Sequence, residues 1–143
     1  MFRSAGIGLV LLAAPLFAGG FWLQMGTAEA NPEAKAQHAT LVVRATGCHN
    51  PEYAKVSGVM IQKREGRMES FPLKLIPLTE PGTYAVRQQW PDDAAVTLKF
   101  VGHNDGATTS MLVRAQGSSV EKGTAKFFPH EPTAEEEMTL AVR

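Results

Sequence analysis

Apolar and polar residues alternate along most of the chain from residue 41 onward, the spacing of strands that bury one face. Leu41, Val43 and Ala45 alternate with Val42 and Arg44. Val56–Lys63 sets Val59 and Ile61 against Ser57 and Gln62, and Arg64-Glu65-Gly66-Arg67 then supplies a turn. Phe71, Leu73 and Leu75 alternate again, but Pro72 and Pro77 cannot donate to a ladder, so this segment reads as an edge or bent strand. After the turn Glu80-Pro81-Gly82, the residues Tyr84, Val86 and Trp90 share one face of a strand that Pro91-Asp92-Asp93 ends. Val96, Leu98 and Phe100 form the cleanest alternation, and Asn104-Asp105-Gly106 is the strongest hairpin signal in the chain. Met111 and Val113, then Val120–Phe128 after Gly117-Ser118-Ser119, continue the pattern. Met138, Leu140 and Val142 read as a last strand behind the loop Pro129–Glu136; Ala134–Met138 has room for one helical turn and no more.

Seven or eight short strands with turns at regular intervals define a sandwich or small barrel. Glu80-Pro81-Gly82-Thr83-Tyr84 sharpens the choice. A Tyr there can fold its hydroxyl onto the preceding loop, as in the tyrosine corner of Greek-key sandwiches, or be an ordinary strand aromatic after a turn. The fold expected is an all-β, immunoglobulin-like Greek-key β-sandwich of seven or eight strands behind an N-terminal signal segment.

That segment stands apart from the alternation. Arg3 puts one positive charge at the start, no charge follows from Ala5 to Met25, and Ala28-Glu29-Ala30 offers small residues to a signal peptidase. Cleavage after Ala30 would make residues 1–30 a signal peptide, 31–37 a flexible leader and 38–143 the sandwich domain. Alternatively residues 5–25 stay as a membrane anchor, since the run is long enough for a bilayer of ~30 Å. Pro15, Gly19-Gly20 and the lack of a following basic cluster favour cleavage. Either way the domain is periplasmic or secreted, and the membrane is met only through this segment.

Composition narrows the functions. The formal net charge is zero and no basic cluster occurs, so nothing steers the chain to nucleic acid. Cys48 is the one cysteine, so no intramolecular disulfide forms. It is either a buried small hydrophobe, half of an intermolecular disulfide, or a metal ligand. A metal site would draw on Cys48, His49, His103 and His130, with Met60, Met68, Met111 or Met138 as soft ligands, a set suited to copper. No ligand pair has diagnostic spacing, and Met60, Met111 and Met138 fall where core packing explains them.

Catalysis has less to build on. There is no G-x-S-x-G, no phosphate-binding Gly-rich loop and no dinucleotide fingerprint. Cys48 and His49 are neighbours that an extended strand would point to opposite faces. Asp92-Asp93 and Glu135-Glu136-Glu137 lie in turn or loop sequence, where solvated charge is the default. A hydrolase would need a polar pocket around Cys48 or Ser57. The reading preferred is a non-enzymatic binding or accessory module with a protein partner, met through Trp90 or Phe128 if these are exposed, or through the Pro-bearing edge. A copper-binding protein is the alternative.

The run Pro72-Leu73-x-Leu75-x-Pro77-Leu78, then Pro81-Gly82-x-Tyr84-x-Val86, Trp90-Pro91 and Leu98-x-Phe100, resembles small exported immunoglobulin-like modules of the YtkA/FixH type. Transthyretin-like and carboxypeptidase-regulatory-like domains share much of this look. Asp92-Asp93-Ala94-Ala95 departs from the pattern, where those modules carry Gly and an aromatic. The resemblance implies a sandwich and an accessory role near membrane or metal-handling systems, and carries no site residue with it.

Overall fold

A computed structural model describes residues 20–47 and 50–141. Nine strands are present among them: β1 Trp22–Gly26, β2 Leu41–Thr46, β3 Lys55–Arg64, β4 Arg67–Leu73, β5 Leu75–Pro77, β6 Thr83–Val86, β7 Ala95–Asn104, β8 Ala107–Gln116 and β9 Ser119–Phe128. All pair antiparallel, in a four-stranded sheet of order β1-β2-β6-β5 and a five-stranded sheet of order β4-β3-β7-β8-β9. These are the A-B-E-D and C′-C-F-G orders of the immunoglobulin sandwich, with β9 added beyond the G position.

The alternating residues fill the space between the sheets. Leu41, Val43 and Ala45 of β2 and Val86 of β6 meet Val96, Leu98 and Phe100 of β7 and Met111, Val113 and Ala115 of β8 in one buried cluster. In β3 the inward residues are Gly58 and Met60, opposite Phe100 and Leu98, so Val59 and Ile61 lie on the outer face. Ile61 is nonetheless 2% exposed, because that outer face is itself covered. Gly58 is small for a reason: a Cβ there would come within 3.0 Å of the Phe100 ring.

Two hairpins follow from turn chemistry. Glu65-Gly66 joins β3 to β4 and Asp105-Gly106 joins β7 to β8, and all four residues have positive φ, as two-residue type I′ turns require. The proline-bearing segment is both edge and bend. β4 is the outer strand of one sheet and β5 of the other, and the chain crosses between them at Lys74. The Gln89 side chain takes the place of a ladder partner there. Its Oε1 accepts from Lys74 N at 2.7 Å and its Nε2 donates to Lys74 O at 3.0 Å.

Sequence expectation and structure part company at both ends of the chain. Residues 31–37 are not a loose leader. Asn31 caps helix α1, Pro32–Ala36, by accepting from Ala34 N, and Pro32 stands at the first turn where its missing N–H costs nothing. His38 at φ 56° closes the helix, donating from its backbone N to Lys35 O while Ala39 N donates to Ala34 O, a Schellman arrangement. Glu33 accepts from Thr79 N and Oγ1, and Arg87 donates to Gln37 O and Oε1, pinning the helix at both ends. A boundary at residue 30 also falls inside the folded unit. Strand β1 pairs along its length with β2, and Leu23 is 1% exposed in the main core. The proposed anchor, 5–25, overlaps this strand; its residues 5–19 lie outside the described residues.

The expected last strand is helix α2, Ala134–Ala141. Thr133 Oγ1 accepts from Glu136 N and Glu136 Oε1 accepts from Thr133 N, a reciprocal capping box. Glu135, Glu136 and Glu137 lie in the first turn, where the helix dipole favours negative charge. The helix packs over β8, β7 and β3 and buries Leu140. Val142 lies outside the described residues.

Trp90 is not a strand residue either, since β6 ends at Val86. It sits in the β6–β7 loop, 4% exposed, and its Nε1 donates to Gly117 O at 2.6 Å. Gly117 N in turn donates to Ala94 O, so the loop is clasped to the β8–β9 turn. A side chain at Gly117 would strike Asp92 O at 2.3 Å. Tyr84 lies in β6, the E position, and so is not at the E–F corner that a tyrosine corner occupies; Trp90 holds that corner. Trp90→Phe keeps most of the ring volume but strands the buried Gly117 carbonyl. It should cost about 1–3 kcal/mol of unfolding free energy in urea titration; a loss near zero would mean the clasp contributes nothing.

Candidate functional site

Of the four residues expected as metal ligands, His103 and His130 are among the described residues. Cys48 and His49 lie outside them. His103 is exposed near the end of β7, with Nδ1 3.0 Å from Thr108 Oγ1 on the paired strand. His130 is exposed in the loop after β9. Its Nδ1 is 2.8 Å from Glu131 O and 3.9 Å from Glu136 Oε1, and its ring lies 5.6 Å from that of Phe128. Met60 and Met111 are core residues, whereas Met68 and Met138 are exposed. No group of three or more His, Cys, Asp or Glu positioned to hold a metal occurs among the described residues.

The outer face of the five-stranded sheet carries a cleft of about 150 Å³, lined by Ser57, Val59, Lys99, Val101, His103 and Glu131. Lys99 projects from β7 and is largely buried. Its Nζ lies 2.6 Å from Glu137 Oε1 of α2 and 3.9 Å from Glu131 Oε1. The Lys99 charge is therefore met by Glu137 of the helix above it. Ser57 and His103 share the cleft, yet among the described residues no hydrogen bond joins them, the first geometric requirement of a nucleophile and its base. Ser110 Oγ donates to His130 O and Thr109 Oγ1 to Phe128 O, tying the loop down beside it.

The carboxylate runs have structural partners. Asp92 accepts from Gln88 Nε2 at 2.7 Å, Glu136 completes the cap of α2, and Glu137 holds Lys99. A second cleft, about 210 Å³, lies on the four-stranded sheet between Gln24, Asn31, Arg44, Glu80 and Thr83. Arg44 and Glu80 pair at 2.8 Å across it. Thr83 is 3% exposed and its hydroxyl has no hydrogen-bond partner among the described residues.

Of the two aromatics that would mark a partner surface if exposed, Trp90 is buried and Phe128 half-buried. Among the described residues, the exposed large apolar ones are Tyr53, Met68, Phe71, Phe127 and Met138. Met68 and Phe71 both lie on β4, the free edge of the five-stranded sheet, but on opposite faces of it, Phe71 beside Met60 and Met68 beside Lys63. Sequence reasoning found the edge through its prolines but placed the aromatic contacts elsewhere, because exposure of Phe71 depends on β4 having no outer neighbour.

A scan against protein-family models, a search of curated proteins and a search of solved structures each find no match to the chain. The fold therefore rests on the strand order itself, which defines an immunoglobulin-like β-sandwich capped on both outer faces by short helices.

Lys99 and Glu137 have side chains only 16% and 18% exposed, so solvent screens the pair weakly. A double-mutant cycle with Lys99→Met and Glu137→Gln should return a coupling of about 1.5–3 kcal/mol. A value near zero would show that α2 is held by its apolar face alone.

Proposed function

We propose that the chain is an exported, non-enzymatic binding module that engages a protein partner along the free edge of β4. The observation that carries this reading is the exposure of nearly the whole strand: six of its seven residues are exposed or partly so, Met68 and Phe71 among them, and only Leu73 is buried. An edge offers unpaired backbone groups to a partner strand, and its exposed side chains, Phe71 on one face and Met68 on the other, give selectivity. The other edges are less suited to this. β1 and β5 have five and three residues. β9 is long, but its pairing with β8 is broken by a register shift near Leu112 and Arg114, an irregularity that discourages strand addition.

Export is supported by the basic start and uncharged run of the N-terminal segment. The binding reading is supported by the pairing of the clefts' charges within the fold, which leaves recognition to surface and edge. In cells producing the full chain, a photoreactive residue at Ser70 should give one adduct of discrete size, lost in Phe71→Lys. The same probe at Lys126 on β9 should give none. A urea midpoint for Phe71→Lys separates loss of contact from loss of fold. Equal adducts from both edges, or none from Ser70, would overturn the edge as the contact.

A further inference from the structure

Resting on the export reading, we propose that signal peptidase cuts after Gly20, making Phe21 the mature N-terminus, and that Ala28-Glu29-Ala30 is not the processing site. Three peptide bonds near the end of the apolar run have small residues one and three positions upstream: those after Gly20 (Ala18, Gly20), after Ala28 (Gly26, Ala28) and after Ala30 (Ala28, Ala30). Sequence alone ranks the last highest. The fold reverses the order.

Cutting after Ala28 or Ala30 would remove β1. The strand pairs with β2 from Trp22↔Thr46 to Gly26↔Val42, and Leu23 is fully buried in the main core with Phe21 and Met25 packed against it. The opposite sheet is shaped to receive them. A Cβ at Gly102 would lie 3.2 Å from both Leu23 Cδ2 and the Phe21 ring. Ala28 is itself a core residue, in a second cluster with Ala34, Val42, Leu78 and Ala85. Loss of residues 21–30 would leave a groove in one core, an opening in the other, and β2 as a bare edge. A cut after Gly20 leaves every one of these contacts in place.

The remaining segment then fits a signal peptide better than an anchor. Ile7–Phe17 is an apolar run of eleven residues after the single Arg3, within the length of a signal-peptide core, and Ala18-Gly19-Gly20 follows at once. The uncharged stretch left ahead of the fold, Ala5 to Gly20, has sixteen residues. Wound as a helix it would reach about 24 Å, short of the ~30 Å hydrocarbon core.

The test is N-terminal sequencing and intact mass of the exported full-length gene product, with Ala18→Arg and Ala30→Arg alongside. An N-terminus at Phe21, with Ala18→Arg accumulating as precursor and Ala30→Arg processed like the parent, supports the proposal. An N-terminus at Asn31 or Glu29 overturns it while leaving export intact. An unprocessed chain recovered with membranes overturns it in favour of an anchor. An unprocessed chain in the cytosol overturns both this proposal and the export reading beneath it.

Discussion

The middle strands of both sheets are apolar on two faces, and this constraint governs the ends of the chain. Alternation accounts for the inner faces, but Val42 and Ala85 of one sheet and Ile61, Val101 and Leu112 of the other point outward and are buried. A solvent-exposed row of such residues would forfeit about 1.5–3 kcal/mol for each large side chain. A two-layer sandwich leaves those rows in water. The chain covers them with what lies outside the strands: α1 and the 3-10 turn Ala28–Ala30 over the four-stranded sheet, α2 and the loop before it over the five-stranded one.

The covers are too short to stand alone. Isolated helices of five and eight residues are far below the length at which a helix persists in water. They persist here because each end is tied. Asn31, Glu33, Gln37 and His38 fix α1, with Arg87 and Thr79 reaching from the sheet; Thr133, Glu136 and the Lys99–Glu137 pair fix α2. The polar groups that the covers would otherwise bury are satisfied in the same stroke, as with Ser110 and Thr109 bonding to the backbone of the loop above them.

What was legible in the sequence follows from this division. Period-two runs, the Glu65-Gly66 and Asp105-Gly106 turns and the edge prolines are local signals, and the structure uses them locally. The helices are not local. Their sequences, Pro-Glu-Ala-Lys-Ala and Ala-Glu-Glu-Glu-Met-Thr-Leu-Ala, carry no strong amphipathic stripe, so only the caps announce them. Thr133-x-x-Glu136 was readable as a capping box; the alternation of Met138, Leu140 and Val142 competed with it and misled. β1 was hidden differently. Phe21 to Met25 has the composition of the export segment it follows, and only its pairing with β2 separates strand from leader. Trp90 is a contact candidate only if exposed, and which loop folds over which turn decides that exposure; here the loop buries it.

The candidate edge depends on the same economy of covering. β4 lies beside β3 and stops at Leu73, because the next residue carries the chain to the opposite sheet under the grip of Gln89. A partner strand therefore has at most Arg67–Leu73 to pair with, and Pro72 removes one donor from the far end. Pairing is left to the stretch around Met68–Phe71, where the exposed apolar side chains stand. The crossover that completes the sandwich thus also sets the length of the exposed edge. Arg67 and Glu69 on so short an edge discourage indiscriminate sheet extension.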